Sequence, residues 1–271
     1  MTPYHETSAG VLYCGDCLEV MVGFAPDTVG CVVTSPPYFV GKEYETGWTW
    51  EQYSDLLSSV YWQAYRVLEP GRYAVVNFGD LHNSGGRMYA ADVPSVYPAA
   101  ASQWEWGRET GFDLQATRIW RKQFARCKTA PVINFRPRNV FDFEHIWTWR
   151  KPGNDGREWC ADRALSQRGV IGDNWAVDGC LGFHCAAFPV DLPAWAIKVH
   201  SPEPGGTVLD PFLGSGTTAV ACVQTGRSYI GIELSEAYCE IAARRIEKAL
   251  AQPRLPLDAP REKPRTETLA I

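Results

Sequence analysis

The chain has 271 residues, enough for one large domain or two small ones with a buried core. It contains no run of about 18 apolar residues that could cross a membrane. Its N-terminal stretch lacks the basic and apolar segments of a secretory signal. The nine cysteines are odd in number and scattered, which favours reduced thiols in a cytoplasm over a disulfide framework.

The net charge of −5 conceals an uneven distribution of charge. Residues 118–157 carry ten Lys and Arg against three acidic residues, and the rest of the chain carries a net charge of −12. This basic segment is interleaved with aromatic residues, namely Trp120, Phe124, Phe135, Phe141 and Trp147. Phosphate binding requires a local basic stretch. We therefore expect a nucleic-acid contact here, with a solvated surface as the plainer alternative.

The hydrophobic pattern predicts alternating strands and helices. Strands are predicted within 10–16, 29–34, 72–80, 112–122, 143–151, 207–216 and 228–234. Helices are predicted at 48–71, 98–111, 217–226 and 235–250. The first of these helices is expected to stop at Pro70 and Gly71, and Ser235 is expected to cap the last one. The proline-rich residues 251–271 are expected to form a disordered tail.

The order of these elements predicts how the sheet is assembled. Residues 207–250 contain a glycine loop within a β-α-β-α unit, and such a loop normally follows the central strand of a doubly wound sheet. A central strand needs neighbours on both sides, and this unit supplies only one side. The other strands must come from residues 10–150. We therefore expect an α/β domain over residues 1–250, with a doubly wound, mostly parallel and circularly permuted sheet.

The loop D-P-F-L-G-S-G-T-T-A at 210–219 has the features of a nucleotide site. Gly214 and Gly216 belong to a G-x-G-x-x-A pattern, whose small residues let backbone N–H groups approach a ligand at a helix N-terminus. Glu233 ends the next strand, where a carboxylate can accept both hydroxyls of a ribose. The Asp210 carboxylate would repel a pyrophosphate and attract an ammonium group. This combination favours S-adenosylmethionine over NAD.

Three motifs in this order resemble those of the amino-directed DNA methyltransferases, which modify N4 of cytosine or N6 of adenine, in the order called the β class. They are T-S-P-P-Y at 34–38, D-P-F-L-G-S-G-T-T at 210–218 and G-I-E-L at 231–234. The resemblance implies a site-specific enzyme that uses S-adenosylmethionine and acts on double-stranded DNA with a flipped target base. It also implies a cytoplasmic protein of a bacterium, archaeon or phage, acting at the nucleoid. A homodimer and a cognate restriction endonuclease are its candidate partners.

The resemblance also assigns roles to individual residues. The catalytic loop would be Ser35, Pro36, Pro37 and Tyr38. The S-adenosylmethionine site would comprise Asp16, Cys17, Phe188, Asp210, Phe212, Gly214, Ser215, Gly216, Thr217 and Glu233, with Asp16 and the Cys17 backbone at the adenine edge. A bulky side chain at Gly216 is expected to obstruct this ligand. Residues 118–182 would read the DNA sequence, with Arg136 and Arg138 as DNA contacts.

The chemistry of amine methylation explains the residue types in the catalytic loop. The lone pair of the amine is conjugated with its ring, and hydrogen bonds from the amine to Ser35 and to the Pro36 carbonyl would draw the nitrogen toward a tetrahedral state. Tyr38 would stack on the flipped base. A serine can also donate to N3 of cytosine. We therefore expect N4 of cytosine as the target, with N6 of adenine as the alternative.

Other interpretations of these motifs are weaker. The two prolines could simply form a stiff turn that ends a strand. A methyltransferase of RNA or of protein amide nitrogen, or a non-catalytic DNA-binding module, would share part of the pattern. Cys14-x-x-Cys17 has no second pair, and Cys180, His184 and Cys185 lack partners at the usual intervals. No metal site is therefore predicted.

Overall fold

A computed structural model of the chain describes residues 2–38, 48–79, 81–82, 96–97, 99–121, 143–154, 170–171, 188–201 and 206–252. Its strands are β1 (His5–Thr7), β2 (Gly10–Cys14), β3 (Val29–Thr34), β4 (Leu68–Phe78), β5 (Leu81–His82), β6 (Val96–Tyr97), β7 (Asp113–Arg121), β8 (Phe143–Arg150), β9 (Val170–Ile171), β10 (Thr207–Asp210) and β11 (Ser228–Glu233). Its helices are α1 (Cys17–Val22), α2 (Trp50–Val67), α3 (Ala99–Thr110), α4 (Asp191–His200), α5 (Thr217–Thr225) and α6 (Glu236–Ala251).

The described strands form a mixed sheet in the order β1-β2-β11-β10-β3-β4-β8-β7-β9, and β5 pairs with β6 separately. The five strands from β2 to β4 run parallel to one another, whereas β8 is antiparallel to both β4 and β7. The glycine-loop strand β10 lies between β11, which follows it in the chain, and β3, which comes from far upstream. The predicted doubly wound and circularly permuted sheet is confirmed.

Helices cover both faces of this sheet. One buried cluster joins the sheet to α1, α2 and α3, and the other joins it to α4, α5 and α6. The strands between these two helix layers have continuous apolar sequences because both faces of the sheet are covered. Val29–Thr34, for example, is buried at every position.

Helix α2 begins where its sequence predicts and ends earlier than expected. Thr49 and Gln52 form a capping box: the Gln52 N–H donates to Thr49 Oγ1 (3.3 Å) and the Thr49 N–H donates to Gln52 Oε1 (2.9 Å). The predicted stop at Pro70 and Gly71 is wrong, because the helix ends at Val67 and both residues lie within β4.

The C-terminal end of α2 is held by a lysine from the basic segment. Lys151 Nζ donates to the carbonyl oxygens of Tyr65 (2.8 Å) and Leu68 (2.7 Å) and pairs with Asp27 Oδ1 at 2.6 Å. A cation is favourable at this end of a helix, because the last carbonyl groups point toward it. The charge of Lys151 therefore stabilises the C-terminal end of α2.

Several basic and aromatic residues of the segment 118–157 are buried and are not available for the predicted contact with nucleic acid. Trp120 and Trp147 are buried in the sheet. Arg118 is also buried, donates to Thr148 Oγ1 at 3.1 Å, and places its guanidinium carbon 5.2 Å from the ring centroid of Trp195. Burial lowers the pKa of Arg118. Arg118 and Trp120 pack between the sheet and α4, and Trp147 packs on the opposite face, in the cluster with α1, α2 and α3.

Two further predictions concern stretches that are only partly described. The C-terminal part of β7, residues 118–121, and the whole of β8, residues 143–150, belong to the central sheet. A recognition insertion within 118–182 must therefore exclude them.

The predicted tail lies outside the described residues from 253 onward. Among the described residues, no helix combines the length and apolar character that crossing a membrane demands.

Candidate active site

The predicted site residues gather at one edge of the sheet. Four of them lie at or just beyond the carboxyl ends of the adjacent parallel strands β2, β11, β10 and β3, namely Asp16, Glu233, Asp210 and Ser35. The chain crosses from β10 toward β11 on one side and from β3 toward β4 on the other. This reversal opens a crevice beyond the carboxyl ends of the strands, where ligands bind in open α/β sheets.

The two glycines of the loop after β10 face different surroundings. Both have left-handed backbone angles, with φ of +56° at Gly214 and +87° at Gly216. A Cβ at Gly216 would lie 2.9 Å from the Cβ of Ala242 in α6, whereas a Cβ at Gly214 would meet no atom within 4 Å. A side chain at Gly216 would strike α6, and its effect on ligand binding stays a prediction. Gly216 permits helix packing, and Gly214 borders open space.

An arginine on α6 clamps the glycine loop. Arg245 Nη1 donates to the Ser215 carbonyl oxygen (2.6 Å), Ser215 Oγ (2.7 Å) and Thr217 Oγ1 (3.1 Å). These hydroxyls face α6, so the polar side chains of Ser215 and Thr217 shape the loop from behind. Any contact of these two residues with the cofactor would therefore be made by their backbone groups and not by their hydroxyls.

Asp210 is a buried hydrogen-bond acceptor. Its carboxylate accepts from Thr34 Oγ1 (2.7 Å), the Phe212 N–H (3.0 Å) and Thr218 Oγ1 (2.6 Å). Burial raises the pKa of Asp210 to about 6, although these hydrogen bonds oppose the rise. Three of its roughly four acceptor positions are occupied by the protein's own groups. The direct contact with an ammonium group stays a prediction, and the structure gives this carboxylate a bracing role.

Glu233 and Asp16 also brace their own loops. Glu233 Oε2 accepts from the Gly214 N–H (2.9 Å) and Oε1 accepts from the Ser235 N–H (2.8 Å), and burial raises its pKa. Ser235 thus stands at the predicted cap of α6, but its side chain makes no capping bond. Asp16 Oδ1 caps α1 by accepting from the N–H groups of Leu18 and Glu19. Each carboxylate has acceptor capacity beyond these bonds.

The remaining predicted cofactor residues are apolar or act through the backbone. Cys17 is buried at the start of α1, and burial raises the pKa of its thiol to about 12. Phe212 packs partly exposed against the cluster under α1, α2 and α3, and Phe188 against the cluster under α4, α5 and α6. All three residues therefore pack against the same sheet, and their contact with the cofactor stays a prediction.

The catalytic loop and the glycine loop are joined directly. Thr34, the last residue of β3, donates to Asp210 and so ties Ser35 to the strand that carries the glycines. Pro36, Pro211 and Phe212 also line one apolar cavity of about 20 Å³ beneath the two loops. The two sequence motifs therefore form one site.

The catalytic loop is held by polar contacts from three other elements. The Tyr38 hydroxyl lies 3.0 Å from Ser35 Oγ, donates to Glu144 Oε2 (3.1 Å) and accepts from Asn77 Nδ2 (3.0 Å). Burial, with the nearby Glu144 carboxylate, raises the pKa of Tyr38 well above its usual value. The Tyr53 hydroxyl on α2 donates to the Pro37 carbonyl at 2.7 Å.

The carbonyl groups of the two prolines have different surroundings. The Pro37 carbonyl is engaged by Tyr53, which makes Pro37 a fixed support of the loop. No group in the described part of the chain donates to the Pro36 carbonyl. The Pro36 carbonyl thus keeps its capacity to accept the predicted hydrogen bond from the target amine.

Several residues of this site were not found from the sequence, namely Thr34, Tyr53, Asn77, Glu144, Thr218 and Arg245. A signal existed for two of them. Asn77 and Glu144 are polar residues inside apolar strand runs, and a buried polar group demands a partner. Arg136 and Arg138 lie outside the described residues. Within the described ranges, no group of three or more His, Cys, Asp or Glu side chains is arranged to hold a metal ion.

Comparison with known proteins decides the family. A family model described as DNA methylase, covering N6- and N4-directed enzymes, matches residues 29–244. The chain belongs to this DNA methylase family. It is an S-adenosylmethionine-dependent methyltransferase that acts on exocyclic amino groups in DNA. The family settles the choice against RNA, protein and a non-catalytic module.

Individual relatives in this family are similar along most of their length. Type II methyltransferase M.Cfr9I of Citrobacter freundii is 31% identical over 89% of each chain, and M.BglI of Bacillus subtilis is 27% identical over 86% of this chain and 84% of its own. TTHA0409 of Thermus thermophilus, solved with S-adenosyl-L-methionine, is 28% identical with a TM-score of 0.65 over 89% of this chain and 95% of its own. The cytosine-N4-specific PvuII DNA methyltransferase, at 24% identity and a TM-score of 0.71 over 91% and 92%, shares the fold.

Proposed function

We propose that this methylase transfers the methyl group of S-adenosylmethionine to N4 of a cytosine that is flipped out of double-stranded DNA. The observation that carries the proposal is the hydrogen bond between Thr34 and Asp210. It places the S-P-P-Y loop and the glycine loop side by side at the edge of the sheet. The methyl donor and the amine can then be held in fixed relative positions, which is the main requirement of a direct transfer.

The donor's site would be built from the ends of β2, β10 and β11. The open space beside Gly214 supports this placement, because a left-handed glycine there exposes backbone to a ligand. Glu233 and Asp16 would present their remaining acceptor positions to the ribose and to the adenine edge, together with the Cys17 backbone. S-adenosylmethionine would supply an electrophilic methyl group on a sulfonium. Asp210 would contribute negative charge from within the site.

The amine's site would be built from the loop after β3. Ser35 Oγ and the Pro36 carbonyl would accept hydrogen bonds from the two amine hydrogens and so turn the nitrogen lone pair away from the ring. Tyr53 holds the Pro37 carbonyl and thereby the direction of the loop. The Tyr38 ring, anchored through its hydroxyl, would stack on the flipped base.

The preference for cytosine rests on the first residue of the loop. In the amino-directed enzymes that this chain resembles, serine at that position more often accompanies cytosine, and aspartate usually accompanies adenine. Ser35 is a neutral acceptor in that place. N6 of adenine is the alternative target, and the chemistry of the site would be the same.

The DNA contacts and protein partners complete the proposal. The stretches of 118–182 outside the sheet would read the recognition sequence, with Arg136 and Arg138 at phosphates or a groove, so that neutralising both would flatten the salt dependence of DNA binding. A cognate restriction endonuclease would cut the unmethylated form of the same site. A second copy of the chain would be the partner in a homodimer. The enzyme would act at the nucleoid, in the cytoplasm.

Mass spectrometry of nucleosides tests the proposed reaction. Purified protein is incubated with S-adenosylmethionine and plasmid DNA from a host without DNA methyltransferases, and the DNA is digested to nucleosides. We expect N4-methylcytosine. N6-methyladenine without N4-methylcytosine would refute the choice of base and keep the mechanism, whereas DNA without any methylated nucleoside would refute the function. The positions of the modified base then define the recognition site.

A further inference from the structure

The hydroxyl of Ser35 is part of a buried chain of hydrogen bonds that extends away from the substrate side. Ser35 Oγ contacts the Tyr38 hydroxyl at 3.0 Å, and that hydroxyl contacts Glu144 Oε2 at 3.1 Å. Asn77 Nδ2 reaches both the Tyr38 hydroxyl (3.0 Å) and Glu144 Oε2 (2.8 Å). Asn77 and Glu144 are almost fully buried, with 2% and 8% of their surfaces exposed. The chain therefore ends on a carboxylate inside the protein.

The direction of each hydrogen bond in this chain follows from the number of hydrogens available. A carboxylate can only accept, and the amide nitrogen of Asn77 can only donate. The single hydrogen of the Tyr38 hydroxyl goes to Glu144 Oε2 at 3.1 Å and not to the main-chain carbonyl of Asn77 at 3.4 Å, because the bond to a carboxylate is shorter and stronger. The contact between Ser35 and Tyr38 then needs the hydrogen of Ser35. Both lone pairs of Ser35 Oγ are left for the substrate side.

The orientation of the Asn77 amide supports this direction. Its nitrogen faces Tyr38 and Glu144, while its Oδ1 is buried and has no hydrogen-bond partner among the described residues. Leaving a buried acceptor unpaired costs about 1–3 kcal/mol. The opposite orientation would set Oδ1 against the Glu144 carboxylate, and two acceptors repel each other. The carboxylate thus fixes the amide as well as the phenol.

Building on the proposed role of Ser35 as the acceptor of the target amine, we propose that Glu144 and Asn77 are positioning residues that make Ser35 a hydrogen-bond acceptor only. Their function is to select an amino group and to reject a keto group at the same ring position. A keto oxygen needs a donor, and the hydrogen of Ser35 is held by Tyr38. On this proposal Ser35 would not donate to N3 of cytosine, and it would act as a neutral acceptor in the loop.

Selection between an amino and a keto base can be measured directly. Once the recognition site is known, two duplexes are prepared, one with the target cytosine and one with uracil in its place. For an adenine target, adenine and hypoxanthine take these positions. Binding is measured with S-adenosylhomocysteine present, so that no transfer occurs. The quantity compared among proteins is the ratio of Kd for the keto duplex to Kd for the amino duplex.

Two substitutions release the hydrogen of Ser35 by different routes. Tyr38→Phe removes the acceptor of that hydrogen and keeps the stacking ring, and Glu144→Gln replaces the carboxylate with a group of the same shape that can donate. We expect the Kd ratio to fall about tenfold in each variant, the value of one hydrogen bond gained by the keto base. The uracil–guanine mismatch affects every protein equally, so it does not alter the comparison.

Tyr53→Phe is the matched control. The substitution removes a hydroxyl from a tyrosine that holds the same loop, but this hydroxyl donates to the Pro37 carbonyl and not to Ser35. The Kd ratio of this variant should therefore equal that of the wild type. Circular dichroism and S-adenosylhomocysteine binding show which variants are folded, and either folded variant suffices for the test. A wild-type ratio in Tyr38→Phe or Glu144→Gln would overturn the proposal. Absence of DNA methylation by the wild type would instead refute the proposed function.

Discussion

Gly214 and Gly216 show how two identical residues in one motif can serve different needs. Each has a left-handed backbone, so alanine costs about 1–2 kcal/mol at either position. Only Gly216 has a neighbour that a Cβ would strike, the Cβ of Ala242 at 2.9 Å. The open side of Gly214 is the side on which we propose that the methyl donor binds.

The two alanine variants should therefore separate stability from ligand binding. Gly216→Ala should lose more unfolding free energy than Gly214→Ala, by about 1–3 kcal/mol, because it overpacks the contact with α6. Gly214→Ala should lose at least about tenfold in S-adenosylmethionine affinity, since its methyl group enters the proposed site. Urea denaturation and calorimetric titration measure the two quantities. Wild-type affinity in a folded Gly214→Ala protein would show that the ligand binds elsewhere.

Asp210 should make stability depend on pH. Its pKa in the folded protein is raised to about 6, mainly by burial, whereas an unfolded aspartate has a pKa near 3.9. The folded state holds this proton more tightly, so the contribution is fully present below about pH 4 and is lost as the pH rises through about 6. The size of the loss is about 3 kcal/mol, from roughly two pKa units at 1.36 kcal/mol each.

Asp210→Asn does not titrate and isolates this contribution. The amide of the variant keeps one acceptor oxygen in place of two, so it loses one of the bonds accepted from Thr34 and Thr218 at every pH, which gives a constant offset. Between pH 4 and pH 6 the wild type should lose stability relative to the variant, and above about pH 6 the difference should be constant. Urea denaturation of both proteins across this range measures the difference. Parallel curves for the two proteins would contradict the raised pKa.

At the scale of elements, helix α6 acts on the glycine loop through a single side chain. Arg245 makes three hydrogen bonds with Ser215 and Thr217, and its neighbour Arg244 is exposed and pairs with Glu240 on the same helix. The two arginines differ by one position in the chain and by about 100° around the helix. Only one of them can touch the loop.

Replacing each arginine in turn tests whether α6 shapes the donor site. Arg245→Met keeps most of the side-chain stem and removes the clamp, so the affinity for S-adenosylmethionine should fall about tenfold, as hydrogen bonds to a charged group contribute about 1.5–3 kcal/mol. Arg244→Met removes the same charge from the same helix and should bind with wild-type affinity. Equal affinities in the two variants would show that the loop holds its shape without the clamp.

Most elements could be predicted from the sequence because their signals are local. The run Val29–Thr34, the capping box at Thr49 and the glycine after β10 each lie within a few residues of the structure that they specify. The end of α2 could not be predicted in this way, because Lys151 from another part of the chain holds its last carbonyls. Likewise, the local sequence around Arg118 is typical of a surface charge. Its burial depends on Trp195 of α4, which packs against the guanidinium in the folded chain.

At the scale of the whole molecule, the order of motifs predicted the arrangement of the sheet and the place of the site. Strand β2, near the start of the chain, pairs with β11, more than 200 residues later, as the permuted order requires. The contacts inside the site could not be predicted, since they depend on the register between strands. Glu144 reaches Tyr38 because β8 pairs with β4 in the register that sets Asn77 opposite Ile146.

We propose that the S-P-P-Y loop and the glycine loop form one site for methyl transfer to DNA. The most direct test measures transfer of radiolabelled methyl groups from S-adenosylmethionine to unmethylated DNA in a single turnover, for the wild type and for Ser35→Ala. Binding of S-adenosylmethionine is measured on the same samples. We predict that the wild type labels DNA and that Ser35→Ala transfers at least about a hundredfold more slowly, the lower range for loss of a catalytic contact, with unchanged donor affinity. Transfer at the wild-type rate by Ser35→Ala would show that the S-P-P-Y loop does not take part in the reaction.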